Sequence, residues 1–292
     1  MTGYDYVIRL FVILGLALLG LLLTAFVTGV ILMASGMSLT DIIGMGEYGM
    51  EGLSAGMVRM LLAAQHVCVF ILPSFVFGLI FYRSGILSGF DLSRLPRLTM
   101  SFLGIAFLIA TYPLVNLSFV LNESLPLPSW AGDFENQAKE TLETILEMQS
   151  PFAFIINLLL IAILPGIGEE LIFRGIVQKY IGRLLKNPVV GIWIAAFIFS
   201  AIHVQFEGFF PRMVLGAILG YLYYWTQNLW VPIIAHAFNN GIQVILIYAT
   251  GMDVTAFEEQ GSDQLQWWMI PLSVGAMYII YRSIIKNRLA LE

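Results

Sequence analysis

Two adjacent carboxylates, Glu169 and Glu170, follow a strongly apolar run at residues 155–167. Charged side chains inside a membrane helix are costly, and by default they mark a functional site. Arg174 lies four residues after Glu170, so on a helix the two share a face and can form an ion pair. Glu169 points about 100° away from Glu170 and has no basic residue three or four positions later. The spacing therefore predicts a supporting ion pair, Glu170–Arg174, and leaves Glu169 as the acid available for chemistry.

Two imidazoles and an amide on later apolar segments complete the set of groups that could do chemistry. His203 lies at the end of one such segment, and His236 and Asn240 share a helical face at i and i+4 on another. If a turn near residues 184–188 joins the helices of Glu169 and His203, each side chain lies about 15 residues, or roughly 22 Å, from that turn. Two antiparallel helices would then carry both side chains at the same level.

These residue types suffice to hydrolyse a peptide bond. Glu169 can take a proton from water, and His203 can orient that water or bind a metal. His236 and Asn240 can donate hydrogen bonds to the oxyanion of a tetrahedral intermediate. We therefore predict Glu169, His203, His236 and Asn240 as the catalytic residues.

A zinc ion is the alternative to a metal-free glutamate. The chain has no H-E-x-x-H motif, so the ligands would have to come from three helices, as Glu169, His203 and His236. That ligand set leaves Glu170 as the nearby base, although Glu170 is better used in the pair with Arg174. We therefore favour a site without a cofactor, in which Glu169 activates water, and keep zinc as the open alternative.

A proline and two glycines immediately precede the acids, in Pro165-Gly166-Ile167-Gly168. Such residues bend a membrane helix or loosen its backbone. This is tolerated where the backbone is buried in protein or lines a cavity. An ordinary packing kink and a kink that admits water both fit the pattern, and beside two glutamates we favour the second.

The composition is that of an integral membrane protein. Of 292 residues, 59% are hydrophobic and 11% are charged, against about 25% charged residues in soluble domains. Eight apolar segments are candidates for membrane helices, with approximate bounds 7–34, 58–82, 100–121, 152–180, 189–204, 210–225, 231–248 and 267–285. The predicted fold class is therefore all-α, a polytopic integral membrane helix bundle of about eight transmembrane helices.

We divide the chain into three regions: an N-terminal three-helix membrane region at residues 1–150, a catalytic core at 151–250 and a C-terminal membrane helix at 251–292. The longest loop lies at the end of the first region and faces outward. Its apolar residues fall on one helical face, which predicts an amphipathic helix lying on the bilayer or capping the bundle, and they are Phe134, Ala138, Leu142, Ile145 and Leu146. A solvated connector helix is the alternative.

Basic residues concentrate on one side of the predicted membrane. Eleven of the 14 lysines and arginines fall on that side, namely Arg9, Arg83, Arg94, Arg97, Arg174, Lys179, Arg183, Lys186, Arg282, Lys286 and Arg288. The positive-inside rule makes that side cytoplasmic. We therefore predict that both termini are cytoplasmic and that the protein lies in the plasma membrane of a bacterium. No basic surface interleaved with aromatic residues points to nucleic-acid binding.

Three weaker signals concern packing. Gly216 and Gly220 form a small-xxx-small pair, which predicts close packing of the sixth helix. Cys68, the one cysteine of the chain, is interpreted as core filler. His66 belongs to no motif and is interpreted as a hydrogen-bonded interior histidine.

The arrangement of the candidate residues resembles a known family. Its three motifs are similar, in order and on successive apolar helices, to Glu169-Glu170-x-x-Phe173-Arg174, Phe199-x-x-x-His203 and His236-x-x-x-Asn240. The family is the CAAX protease and bacteriocin-processing (CPBP) family, with its type II CAAX prenyl endopeptidases, Abi proteins and lysostaphin-resistance-like members. The resemblance covers about residues 152–248. It implies an eight-helix fold, a cavity facing the cytoplasm, proteolysis near the membrane, and a first glutamate, here Glu169, that activates water.

The sequence therefore predicts an intramembrane endopeptidase. Its partners are the lipid bilayer and a peptide or protein substrate in or at the membrane, of the prenylated or the leader-peptide type. A non-catalytic membrane scaffold or immunity protein of the same fold is one alternative, since it needs the helices but not a free acid. An ion-coupled transporter is another, because buried carboxylates and histidines also serve as relays.

Overall fold

The computed structural model describes residues 2–42, 52–125, 129–252 and 266–289, with the backbone alone at 129 and 130. These residues form helices and connecting turns, with no strand among them. Helices occupy all eight predicted membrane segments, and the loop after the third contains a further helix. Their bounds are α1 Gly3–Ala34, α2 Ala55–Phe81, α3 Leu98–Glu123, α4 Ser129–Leu146, α5 Pro151–Leu184, α6 Pro188–Ala201, α7 Phe209–Thr226, α8 Trp230–Thr250 and α9 Met269–Leu289. The predicted outward loops 35–57 and 249–266 lie partly outside the described residues.

Five helices, α1, α2, α3, α5 and α8, are long and apolar enough to cross a membrane, and α6 is a shorter apolar helix. Large apolar side chains of α1, such as Phe11, Leu22 and Phe26, are 67–70% exposed. An apolar face of this length is stable in lipid rather than in water. The predicted all-α, polytopic integral membrane fold is therefore confirmed. The predicted spans at 210–225 and 267–285 are present as α7 and α9, which are not among the five.

Helix α5 carries the two acids and is 34 residues long. At 1.5 Å per residue it extends about 50 Å, well beyond a hydrocarbon core of about 30 Å. Its α-helical turns are interrupted by π-helical segments at Leu158–Ile163 and Phe173–Gln178, a rare geometry that is frequent at functional sites. The length of α5 lets acids near its middle meet residues only two turns into α8.

Small residues let α6 and α7 pack closely. A Cβ atom added to Gly216 would lie 3.1 Å from the ring of Phe199, and one on Gly220 would lie 2.9 Å from Ile192. Carbon atoms at such distances overlap, so both positions require glycine unless a neighbour moves. The predicted small-xxx-small packing is confirmed, and it fixes α7 against the helix that ends just before His203.

The amphipathic helix α4 caps one end of the bundle, where it packs on α2 and α8. Ile145 and Leu146 on its apolar face are buried, whereas Glu140 and Glu143 are exposed. Arg59 of α2 donates a hydrogen bond to the carbonyl oxygen of Ile145 (2.7 Å) and so holds the last turn. The structure favours the capping interpretation over the solvated connector.

A cluster of polar side chains lies near the C-terminal end of α5. The Nζ of Lys179 donates to Oδ2 of Asp91 (2.8 Å), and the hydroxyl of Tyr223 donates to the same oxygen (2.5 Å). We name these three residues the Asp91 cluster. Arg9 of α1 donates to the hydroxyl of Tyr180 (2.8 Å), so basic residues from α1 and α5 do meet at one end of the bundle. The side of the membrane on which that end lies stays a prediction.

Candidate active site

Glu169 lies inside the helix bundle, with 5% of its surface exposed. Its Oε1 is 3.6 Å from Nε2 of His66 on α2, and its Oε2 is 3.8 Å from Nε2 of His236 on α8. Both distances exceed the usual length of an N–H···O hydrogen bond, about 2.7–3.2 Å. The carboxylate therefore sits between two imidazoles while its oxygens keep the capacity to accept a proton from a third molecule.

Glu170 is fully buried and has a different role. Its Oε1 accepts hydrogen bonds from a terminal nitrogen of Arg174 (2.6 Å) and from Nδ1 of His236 (2.8 Å). Arg174 also donates to the carbonyl oxygen of Gly216 (2.7 Å), and its guanidinium lies over the ring of Phe199. The predicted Glu170–Arg174 ion pair is thus present, and it extends to His236. A histidine whose Nδ1–H donates to a carboxylate keeps Nε2 free for the neighbouring group, and here Nε2 faces Glu169.

His203 lies two residues after the end of α6. Its Nδ1 is 2.8 Å from the carbonyl oxygen of Phe199, which can only accept, so Nδ1 carries the proton and Nε2 is free. The ring of Phe199 packs edge-on against both His203 (5.3 Å between centroids) and His236 (6.0 Å). His203 also interacts electrostatically with Glu169. The structure therefore brings His203 to the same site, with the ring of Phe199 in contact with both imidazoles.

Asn240 joins α8 to α5 beside the site. Its amide nitrogen donates to the carbonyl oxygen of Ile161 (3.0 Å), and its Oδ1 accepts from the amide of Asn239 (3.1 Å). Pro165 has no N–H to offer the carbonyl of Ile161 four residues earlier, and Asn240 supplies the missing hydrogen bond. An amide nitrogen carries two hydrogens, so one remains for another acceptor.

His66 is the site residue that the sequence pattern missed. Its Nδ1 lies 3.2 Å from the carbonyl oxygen of Leu62, as expected of a hydrogen-bonded interior histidine, but its other nitrogen faces Glu169. All three histidines of the chain thus have Nδ1 next to an oxygen acceptor and belong to one site. The available signal was the rarity of histidine in this apolar chain, since no motif spacing links position 66 to position 169.

The two glycines before the acids serve helix packing. A Cβ atom on Gly166 would lie 3.2 Å from the backbone nitrogen of Ala237, and one on Gly168 would lie 2.8 Å from Cβ of Phe70. Both glycines are buried against these neighbours. They allow α8 and α2 to approach α5 at the level of Glu169. Neighbouring helices occupy the space beside both glycines, which fits the packing interpretation at these two positions; a kink that admits water stays a prediction.

No group of three or more His, Cys, Asp or Glu side chains among the described residues is arranged to hold a metal ion. The side chains of Glu169, His203 and His236 are not close enough together to bind one metal ion in this conformation. Zinc at this site stays the open alternative to the favoured metal-free glutamate, and no step described below passes through a metal.

Comparison with known proteins agrees with this geometry. Residues 151–242 match the family model described as Type II CAAX prenyl endopeptidase Rce1-like. That stretch contains all three motifs, from Glu169 to Asn240. About a third of the chain is thus similar to the type II CAAX prenyl endopeptidases. The resemblance predicted from motif spacing over residues 152–248 is therefore confirmed.

Two proteins of Bacillus subtilis (strain 168) are similar to parts of the chain. "Uncharacterized protein YpbD" is 33% identical over 84 residues, which are 27% of this chain and 40% of that protein. "Putative membrane peptidase YdiL" is 29% identical over 118 residues, which are 40% of this chain and 45% of that protein. The chain thus spans less than half the length of the curated relatives it matches. No solved structure matches it significantly.

Proposed function

We propose that this protein is an intramembrane endopeptidase in which Glu169 activates a water molecule. The observation that carries the proposal is the contrast between two neighbouring carboxylates. Glu170 is held by Arg174 and His236 at 2.6–2.8 Å, whereas Glu169 lies 3.6–3.8 Å from two imidazole nitrogens. A buried acid with unsaturated oxygens beside imidazoles is the arrangement that general base catalysis needs.

The proposed reaction needs no covalent enzyme intermediate. Glu169 takes a proton from water as the water oxygen attacks the carbonyl carbon of the scissile peptide bond. The oxyanion that forms accepts hydrogen bonds from the second amide hydrogen of Asn240 and from Nε2 of His236 in its protonated form. Glu170 stabilises that protonated imidazole through the Nδ1 contact. Glu169 then returns the proton to the leaving amine as the C–N bond breaks, which leaves a carboxylic acid and an amine.

The substrate class follows from the position of the site inside a membrane bundle. Glu169 is surrounded by α2, α5 and α8, three of the helices long enough to span a bilayer. This position supports our proposal that the substrate is a peptide in or at the membrane, of the prenylated or the leader-peptide type. The "membrane peptidase" in the name of one relative is consistent with this class.

The test is the variant Glu169→Gln in proteoliposomes. It keeps the size of the side chain and removes the base, so cleavage of a library of lipidated and unmodified membrane peptides should fall by about 10²- to 10⁴-fold, with thermal unfolding unchanged. Glu123→Gln, an exposed acid at the end of α3, is the matched control and should cleave like the wild type. Retained turnover in Glu169→Gln would contradict the assignment.

Two further measurements separate the rival functions. A metal-free mechanism predicts full activity in the presence of a chelator and no stoichiometric zinc in the purified protein, whereas chelator-sensitive cleavage would favour the zinc alternative. A scaffold would rescue a deletion strain equally well with Glu169→Gln, and a transporter would give substrate-dependent ion flux in the same proteoliposomes.

A further inference from the structure

The segment between α6 and α7, residues 202–208, carries His203 and is held from outside by three side chains. It is not a regular helix, and Val204 has a positive φ of 53°, a strained conformation for a β-branched residue. A strained segment keeps one conformation only when its surroundings fix it. The position of His203 therefore depends on what fixes this segment.

Asn122, in the last turn of α3, bridges both sides of the segment. Its amide nitrogen donates to the carbonyl oxygen of Phe206 (2.7 Å), and its Oδ1 accepts from the backbone N–H of Phe210 (2.9 Å). Arg212 of α7 binds Gln205, the residue before Phe206. Its guanidinium donates to the side-chain oxygen (2.5 Å) and to the carbonyl oxygen (3.0 Å) of Gln205. Both contacts come from helices that border the bundle end capped by α4.

Glu135 of the amphipathic helix α4 makes the third contact. One carboxylate oxygen accepts the backbone N–H groups of two successive residues, Phe206 and Glu207, the second at 3.0 Å. Successive backbone N–H groups that point at one oxygen form an anion-binding backbone site. Glu135 is half-buried, unlike the exposed Glu140 and Glu143 of the same helix. This acid of α4 is thus directed at the segment that carries His203.

The charge of Glu135 is also connected to the candidate active site. Arg212 interacts electrostatically with both Glu135 and Glu169, and it interacts with His203 as well. The guanidinium is therefore within electrostatic reach of both the carboxylate that anchors the segment and the carboxylate proposed to activate water. Removing the negative charge of Glu135 would change the partners of Arg212 as well as the anchoring of the segment.

We propose that Glu135 is a positioning residue for His203, so that the capping helix α4 is part of the catalytic apparatus. Its carboxylate fixes the backbone at Phe206 and Glu207, and this in turn fixes the imidazole of His203 beside Glu169. The proposal rests on the proposed function, because the readout of correct positioning is peptide hydrolysis. It assigns a role to a residue outside the family-matched stretch, residues 151–242.

The experiment compares three variants of the full chain in proteoliposomes. Glu135→Ala removes the acceptor, Glu135→Gln retains an acceptor oxygen, and Glu143→Ala makes the same change at an exposed glutamate of the same helix. We expect kcat to fall about 10- to 100-fold in Glu135→Ala, because small displacements of catalytic groups have effects of this size, with KM changed less than about twofold. Glu135→Gln should recover most of the loss, and Glu143→Ala should match the wild type.

Hydrogen–deuterium exchange supplies a readout that does not require activity. The amides of residues 205–207 should exchange faster in Glu135→Ala than in the wild type, and not faster in Glu143→Ala. Faster exchange with unchanged kcat would overturn the positioning role, and unchanged exchange would overturn the anchoring itself. If the wild type cleaves no peptide, the proposed function fails, while the exchange of these amides still decides whether Glu135 anchors the segment.

Discussion

Two polar clusters in this apolar bundle differ in how the carboxylate oxygens of their acids are hydrogen-bonded. In the Asp91 cluster, one carboxylate oxygen of Asp91 accepts from Lys179 at 2.8 Å and from Tyr223 at 2.5 Å. Lys179 in turn donates to the carbonyl oxygen of Gly89 at 2.8 Å. At the candidate active site, the two nearest nitrogens lie 3.6 and 3.8 Å from Glu169. One oxygen of Asp91 thus receives two short hydrogen bonds, whereas both imidazole contacts of Glu169 are longer than a hydrogen bond.

The difference distinguishes a structural acid from one available for chemistry. Short, charge-assisted hydrogen bonds fix geometry and leave no lone pair free on the oxygen that receives them. A general base must instead have an oxygen free to receive a proton from water. Glu170 resembles Asp91 in this respect, since Arg174 and His236 both donate to one of its oxygens. The contrast between these adjacent residues lies in Oε1 of Glu170, since Oε2 of Glu170 is buried without a hydrogen-bond partner among the described residues.

The largest loss of stability is expected when the buried Glu170–Arg174 ion pair beneath the site is broken. Arg174→Met leaves Glu170 as a buried charge without its cation, which should destabilise the fold by about 3–5 kcal/mol. Denaturant unfolding in detergent measures this loss. Arg183→Met, at an exposed arginine of the same helix, is the control and should unfold like the wild type. Equal stability of the two variants would show that the Glu170–Arg174 ion pair does not stabilise the fold.

A smaller loss is expected at the Asp91 cluster. Asp91→Asn weakens the contacts to Lys179 and Tyr223 and should lower the free energy of unfolding by about 1–2 kcal/mol, because Asp91 is only partly buried. Peptide cleavage by the folded fraction should be unchanged. The exposed Asp133→Asn provides the baseline. A fall in kcat as large as that of Glu169→Gln would erase the distinction between the two clusters.

The smallest effect concerns His66. His66→Leu removes an imidazole 3.6 Å from Glu169 and should lower kcat about tenfold, equivalent to about 1.4 kcal/mol of transition-state stabilisation, with little change in stability. His66→Gln keeps a side-chain amide that can reach the carboxylate and should recover part of the loss. Val67→Ala, at the exposed neighbouring residue, serves as the comparison variant. If His66→Leu cleaves at the wild-type rate, His66 is a packing residue.

Much of the fold follows from local patterns in the sequence. Apolar run lengths predict helices at all eight segments, and five of the helices found there are long and apolar enough to cross a membrane. Backbone groups in a bilayer must be bonded within a helix, which is why such runs are helical. The spacing of Glu170 and Arg174 predicts their contact, since residues four apart on a helix are neighbours. The three family motifs were also recognisable, although their side chains come from separate helices.

Other features depend on contacts between helices, which the spacing of residues along the sequence does not predict. His66 lies beside Glu169 because α2 packs closely against α5, where Gly168 leaves room for Phe70. Glu135 is indistinguishable in the sequence from Glu140 and Glu143, and only the position of residues 206 and 207 singles it out. The glycines before Glu169 are a similar case, because the pattern does not say what occupies the space beside them, and the structure shows neighbouring helices there.

The sequence by itself therefore determined the helices, the Glu170–Arg174 pair and the shared face of His236 and Asn240. The tertiary structure alone decided that His66 lies beside Glu169 and that Glu135 binds the backbone of the segment that carries His203. The physical reason is that helical geometry fixes directions within one helix through its period of about 3.6 residues. Distances between helices depend instead on which side chains, or which missing side chains, lie at each crossing.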